Sequence, residues 1–166
     1  MRRLVLLVLL AARIAAADTI GVGDRLPSFS LDGFDGRRIS ASELAGKPVV
    51  IDFWASWCAT CRTALPAIDR MARRLAGRDV VVLAVNVDRS RAAADAWLAD
   101  RLPDHVVTLA HDPEGALLAR FGASGMPATY VVDRAGVVRL AEAGYAPERV
   151  DAIERAVDAV LAPARD

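Results

Sequence analysis

The chain has 166 residues, of which 54% are hydrophobic and 25% are charged, and its formal net charge at pH 7 is zero. This length suits one domain with a substantial core, and the composition is too apolar for an intrinsically disordered protein. The balanced charge excludes the strongly basic surface with which proteins bind nucleic acid, so we expect no nucleic-acid partner.

The first 17 residues have the layout of a secretory signal peptide. Two arginines follow Met1, an apolar stretch runs from Leu4 to Ala12, and small residues lead up to Ala17. The apolar stretch is shorter than the roughly 20 residues that span a bilayer. We predict a periplasmic or otherwise exported protein, with residues 1–17 either cleaved or kept as an uncleaved membrane anchor. Residues 18–166 then form a single domain.

Short elements are predicted before the centre of the chain. Alternating apolar residues at Phe29 and Leu31, two Asp-Gly turn signals and a return over residues 37–39 predict an N-terminal hairpin. Ser40 or Ser42 is suited to begin a short helix that ends near residue 46.

The next stretch carries the only two cysteines of the chain. An apolar run from Pro48 to about Trp54 predicts a buried strand, and a helical pattern follows from Cys58 to about Leu75. Cys58 and Cys61 therefore lie three residues apart, where a strand gives way to a helix. Because unpaired amides of a first helical turn stabilise a thiolate, we expect the pKa of Cys58 to lie below the value of about 8.5 for free cysteine.

A pair at this spacing can form a disulfide and exchange two electrons with another dithiol or disulfide. Two other interpretations remain open, namely half of a zinc site and a structural bridge. Zinc normally takes four ligands and the chain has no second cysteine pair, while a bridge across so short a loop stabilises weakly. We favour a redox function that needs no cofactor and no bound metal.

The remainder of the chain alternates helices with strands. The predicted strands lie at about residues 80–87, 106–109, 128–132 and 137–143, and the predicted helices at about 91–101, 113–120 and 147–161. Parallel strands joined by helices, together with a closing antiparallel hairpin, predict an α/β fold. Its central mixed sheet is flanked by helices on both faces.

Three groups of residues along the chain match a known family. They are Val22-Gly23-Asp24 with Pro27 and Phe29-Ser30-Leu31, then Phe53-Trp54-Ala55-Ser56-Trp57-Cys58-x-x-Cys61-Arg62 with Pro66, then Phe121-Gly122 and Gly125-Met126-Pro127-Ala128-Thr129-Tyr130. On these residues the chain resembles the exported thioredoxin-like thiol–disulfide oxidoreductases of the TlpA/ResA/DsbE type. The resemblance implies a thioredoxin-like fold with an N-terminal hairpin and a helix–strand segment inserted between Asp88 and Ala110.

The resemblance also assigns roles around the cysteines. It implies that Cys58 is the exposed nucleophile and Cys61 the buried resolving thiol. It further implies a cis peptide bond between Met126 and Pro127, against the redox turn, where the backbone of Met126 can pair with an extended substrate. We expect Trp57 to cover the dithiol and to line the substrate groove.

The chain departs from much of this family at two positions. Ala64 stands where many members have Glu, and Asp52 where many have Asn. Because a carboxylate on a strand covered on both faces is costly to ionise, the pKa of Asp52 is expected to rise toward neutrality, more so with Ala84 in place of a nearby Lys. We predict that Asp52 takes the proton from Cys61 during exchange, the alternative being a purely structural carboxyl.

The predicted function is reduction of disulfides in exported proteins. By resemblance, the substrates include apocytochrome c cysteines before haem attachment, and the electron donor is a membrane thiol carrier. We also expect the enzyme to be a monomer. One alternative is a dithiol oxidase of the same fold, and another is a peroxidase, for which the Pro-x-x-x-Thr-x-x-Cys pattern is missing before Cys58. A third is a copper-binding chaperone that joins the cysteines with His105 and His111, because soft thiolates suit Cu(I).

Overall fold

The computed structural model describes residues 19–162, so the predicted signal peptide at residues 1–17 lies outside the described residues. Within residues 19–162, no helix combines the length and apolar character needed to cross a membrane. The elements are β1 (Ser30–Gly33), β2 (Arg38–Ser40), β3 (Val49–Trp54), α1 (Ala59–Arg74), β4 (Val81–Asn86), α2 (Arg91–Arg101), β5 (Thr108–His111), α3 (Ala116–Phe121), β6 (Ala128–Val132), β7 (Val138–Ala143) and α4 (Pro147–Leu161).

The strands form one mixed sheet in the order β2-β1-β5-β4-β3-β6-β7. Strands β3, β4 and β5 are parallel, whereas β1, β2, β6 and β7 pair antiparallel with their neighbours. The predicted α/β fold with its mixed sheet and N-terminal hairpin is confirmed, and the inserted segment supplies α2 and β5. Because β3, β4 and β5 run the same way, the loops that follow them meet at one edge of the sheet.

The central strand β3 is buried on both sides, and its residues alternate between two hydrophobic clusters. Val50 and Trp54 pack in a cluster with residues of α1, α2 and α4, whereas Ile51 and Phe53 pack in a cluster with residues of α3. Helices therefore cover both faces, as predicted. By the two-residue period of a strand, Asp52 points to the same face as Val50 and Trp54, which is the face covered by α1.

The prediction of a short helix after Ser40 is wrong. Residues 41–46 form successive turns, held by backbone bonds from Glu43 to Ser40, Ala45 to Ser42 and Lys47 to Leu44. The Glu43 carboxylate accepts from the Ser40 N–H at 2.8 Å, which resembles the start of a helix. The chain must enter β3 at Val49, so too few residues remain for a helix to propagate.

Two elements begin later than the sequence predicts, and each time a buried carboxylate is the reason. Strand β5 begins at Thr108 because the amides of Val106 and Val107 donate to Asp69 of α1, at 2.7 and 3.0 Å, instead of to a neighbouring strand. Helix α3 begins at Ala116 because Asp112 accepts its first amides, those of Ala116, Leu117 and Leu118, at 2.9–3.2 Å.

Candidate active site

The two cysteines lie at the start of α1, at the sheet edge where β3 ends. Cys58 is the N-cap residue of the helix, and its Cα lies 5.2 Å from that of Cys61, to which it is disulfide-bonded. The Cys61 amide donates to the Cys58 sulfur at 3.2 Å. Cys58 keeps 9% of its surface exposed, and Cys61 is completely buried. The resemblance implied an exposed Cys58 and a buried Cys61; Cys61 is buried, and Cys58 is the more accessible of the two although little of its surface reaches solvent.

A buried carboxylate that sequence analysis missed holds the turn before Cys58. Asp88, just after β4, accepts from the Ser56 amide at 2.9 Å and from the Ser56 hydroxyl at 3.0 Å. Its Oδ2 also accepts from the Asn86 side chain at 2.7 Å. The signal available in the sequence was topological, because residues that follow neighbouring parallel strands meet at one sheet edge.

We predict that Asp88→Ala disorders the redox turn. Loss of the carboxylate leaves the Ser56 donors and the Asn86 amide without their acceptor, which costs about 1–3 kcal/mol for each group that stays buried. We expect both a lower free energy of unfolding, measured with denaturant, and a several-fold change in the alkylation rate of reduced Cys58.

The matched control is Asp112→Ala, since Asp112 is as buried as Asp88 and accepts three amides of α3 without contacting the redox turn. It should lower stability and leave the reactivity of Cys58 unchanged. Equal alkylation rates in the two variants would show that Asp88 does not position the turn.

Asp52 is buried beneath the redox helix. Its Oδ1 accepts from the Thr129 hydroxyl at 2.7 Å, and its Oδ2 has no hydrogen-bond partner among residues 19–162. Burial raises the pKa of Asp52 from its ordinary value of 3.8 to about 7, while the Thr129 hydrogen bond acts in the opposite direction. The strand register places Ala84 of β4 beside Asp52, as predicted, so β4 brings no cation to this position.

The loop before β6 comes up against the redox turn. The Met126–Pro127 peptide bond is cis, as the resemblance implied, and Pro127 is buried whereas Met126 is partly exposed. The Met126 carbonyl accepts from the Thr60 hydroxyl at 3.2 Å, and this hydroxyl lies 3.4 Å from the Cys58 sulfur. The role of Thr60 could not be predicted from the sequence, because nothing in its neighbours along the chain indicates a contact with residue 126.

Of the three tryptophans, one is exposed and the other two pack against each other. The Trp57 side chain, next to Cys58, is 67% exposed, whereas Trp54 is completely buried. The Trp54 and Trp97 rings pack with their centroids 5.5 Å apart. Trp57 is thus available to a bound polypeptide beside the reactive sulfur, and its role in binding stays a prediction.

The copper interpretation requires the histidines to join the cysteines. Among residues 19–162, no three side chains of His, Cys, Asp or Glu cluster closely enough to hold a metal ion. The His111 Nε2 instead lies 2.7 Å from the Asp88 carbonyl oxygen. The described residues therefore bring together a disulfide, a buried carboxyl and an exposed indole rather than a set of metal ligands.

Comparison with known proteins decides the family. The AhpC/TSA family matches residues 22–141, which include every residue of the site described above. The chain belongs to the AhpC/TSA family. One protein similar to it is the thiol:disulfide interchange protein DsbE of Pseudomonas aeruginosa, with 30% identity over 131 residues, 78% of this chain and 70% of that protein. Another is the thiol-disulfide oxidoreductase ResA of Bacillus subtilis, with 29% identity over 76% of this chain and 70% of that protein.

A solved structure supports the same relationship. The crystal structure described as a putative thiol:disulfide interchange protein DsbE from Chlorobium tepidum superimposes with a TM-score of 0.80 and 34% identity. The match covers 87% of this chain and all of that one. This AhpC/TSA family member is therefore a thioredoxin-fold thiol–disulfide oxidoreductase that carries its redox pair at Cys58 and Cys61.

Proposed function

We propose that this AhpC/TSA family protein reduces disulfides in exported polypeptides. The observation that carries the proposal is the different surroundings of the two cysteines. An amide of the first helical turn donates to the Cys58 sulfur, whereas Cys61 is buried on the face of the sheet that holds Asp52. The first sulfur is suited to attack a target, and the second is suited to complete the reaction after a proton acceptor has ionised it.

The reaction takes place in two exchanges. The Cys58 thiolate attacks one sulfur of the target disulfide, forms a mixed disulfide and releases the other target sulfur as a thiolate, which takes a proton from water. The Cys61 thiol then gives its proton to Asp52 and attacks the Cys58 sulfur, which releases the second target sulfur as a thiolate. This thiolate also takes a proton from water, and Asp52 returns its proton to the solvent. The target gains two electrons and two protons, and the enzyme is left with its Cys58–Cys61 disulfide.

Asp52 is suited to the second exchange by its pKa. With a value of about 7, the carboxyl is ionised in a large fraction of molecules near neutral pH and still basic enough to take a proton from a thiol. Trp57 and the Met126 backbone flank Cys58 and form the proposed binding surface for an extended target segment, with Pro127 supporting Met126 from within the fold.

The partners and location follow from the same proposal. A reductase outside the cytosol meets an oxidising medium, so its disulfide must be reduced again by an outside donor, which we assign to a membrane thiol carrier. Residues 1–17 act as the export signal, cleaved or retained as an anchor. The proposed targets include the cysteines of apocytochrome c before haem attachment, and the proposed enzyme is a monomer.

The deciding experiment is the reduction potential of the Cys58–Cys61 pair, measured by equilibration with glutathione or dithiothreitol buffers. A reductase should have a potential near that of thioredoxin, about −270 mV, whereas a value near −120 mV would identify a dithiol oxidase. Reduction of insulin and of a peptide with the two haem-binding cysteines of a cytochrome c should follow, with Cys58→Ala as the inactive control. Stoichiometric Cu(I) binding without turnover would favour the chaperone instead.

A further inference from the structure

One hydroxyl at the active site lies within reach of two acceptors. The Thr60 Oγ1 is 3.2 Å from the Met126 carbonyl oxygen and 3.4 Å from the Cys58 sulfur. A threonine hydroxyl has a single hydrogen, so it donates to only one of these acceptors at a time. Because sulfur hydrogen bonds are long, both distances allow a bond without movement of any heavier atom.

We propose that the Thr60 hydroxyl changes its acceptor with the redox state of Cys58, from the Met126 carbonyl in the disulfide form to the Cys58 sulfur in the thiolate form. A neutral sulfur accepts hydrogen bonds weakly, so the carbonyl is the better acceptor while the disulfide is closed. A thiolate carries a full negative charge, and hydrogen bonds to charged acceptors are about twice as strong as neutral ones.

The exchange couples thiolate formation to target binding. Once the hydroxyl turns to the sulfur, the side of the Met126 carbonyl that faces the redox turn is free to accept an amide of an extended target. After turnover the disulfide returns, the hydroxyl turns back, and it competes with the target amide for the same oxygen. The coupling rests on the proposed function, which places the target backbone beside Met126.

The other ionisable groups near Cys58 take no part in the proposed exchange of the Thr60 hydrogen bond. On the neighbouring elements they are Cys61 within α1, Asp52 on β3 and Asp88 after β4, with Arg62 in the first turn of α1. None of these groups hydrogen-bonds to Thr60. A Thr60 substitution therefore removes the shared hydrogen and leaves the charges of the site in place.

The test compares Thr60→Val, which has nearly the same shape but no hydroxyl, with Thr60→Ser, which keeps a hydroxyl. The control is Thr63→Val, because Thr63 lies in the same helix and, among residues 19–162, donates only to the Ala59 carbonyl at 3.4 Å. In the free reduced protein, ultraviolet absorbance of the thiolate is followed against pH. We expect the Cys58 thiolate to form at higher pH in Thr60→Val, with up to about tenfold less thiolate than in the wild type below the midpoint. Thr60→Ser and Thr63→Val should match the wild type.

The second measurement concerns the Met126 carbonyl. The probe is a target peptide whose cysteines are replaced by serine, so that it binds without exchange, and its affinity is measured for the oxidised and the reduced protein. We expect the wild type to bind several-fold more tightly when reduced, and Thr60→Val to bind equally in both states. An amide-methylated probe, which lacks the donor for Met126, should lose the preference for the reduced wild type.

Two results would overturn the proposal. One is a Cys58 titration that Thr60→Val leaves where it is, or that Thr63→Val shifts equally. The other is a wild type that binds the serine peptide equally in both states. The first outcome is independent of the proposed function because the thiolate titration involves no target. The second is distinguished from failure of that function by the reduction potential and insulin turnover, which test the function separately.

Discussion

Oxidised Asp52→Asn should be more stable than the oxidised wild type at pH 8, by up to about 4 kcal/mol, and equally stable at pH 4. Burial raises the pKa of Asp52 to about 7, against 3.8 for an ordinary Asp. Between these values the unfolded chain releases a proton that the folded protein keeps, so wild-type stability falls as the pH rises from about 4 to about 7. Above 7 both states are ionised and the loss stays constant.

Asparagine does not titrate, and its side-chain oxygen can still accept from Thr129, so the variant avoids this loss. Denaturant unfolding of the oxidised proteins at pH 4, 6 and 8 measures the effect. Asp133→Asn is a control of opposite sign. Partial burial raises the pKa of Asp133, but the Val137 amide and Arg139 outweigh it and hold that pKa below 3.8, so its contribution is present at neutral pH and lost on acidification. Parallel stability curves for wild type and Asp52→Asn would refute the buried ionisation.

The same substitution should slow turnover. Without the carboxylate, the Cys61 proton has no internal acceptor when Cys61 attacks the mixed disulfide, and general-base catalysis is typically worth 10²-fold or more. Resolution of the mixed disulfide at pH 8 should therefore slow by roughly 10²-fold, and the rise of the wild-type rate through about pH 7 should disappear. A rate–pH profile identical to the wild type would remove Asp52 from the mechanism and leave it the structural role.

The second large effect is expected for Cys61→Ala, which should trap the enzyme on its target. Cys58 can still attack, but no second thiol releases the product, so turnover should fall by roughly 10³-fold or more while a mixed disulfide accumulates. Mass spectrometry of the adduct before and after reduction measures both. Cys58→Ala is the matched control and should form no adduct, because Cys61 is buried. An adduct through Cys61 in that control would reverse the assigned roles.

The elements that could be predicted are those with a local pattern. The continuous apolar run of β3 and the helical periodicity after Cys58 predicted that the redox pair lies at the start of a helix. Alignment of the two parallel strands β3 and β4 residue by residue predicted that Ala84 lies beside Asp52, as it does. The contacts that were missed join residues far apart in the chain, such as Asp88 with Ser56 and Thr60 with Met126. A single carboxylate or hydroxyl has no periodicity, so its partner emerges only when the fold brings distant backbone groups to it.

The two edge strands of the sheet determine whether this protein can aggregate with other polypeptides through strand pairing. An edge strand presents unpaired N–H and C=O groups, with which a strand of another polypeptide can pair and start aggregation. One edge strand is β2, which has only three residues and whose Arg38 forms a salt bridge with Asp32. The other is β7, which carries charged residues and pairs with β6 through an irregular register at Val131/Val132. With both edges protected in this way, the proposed binding surface beside the disulfide is the place left for an extended target segment to pair with backbone, which limits aggregation at the sheet edges.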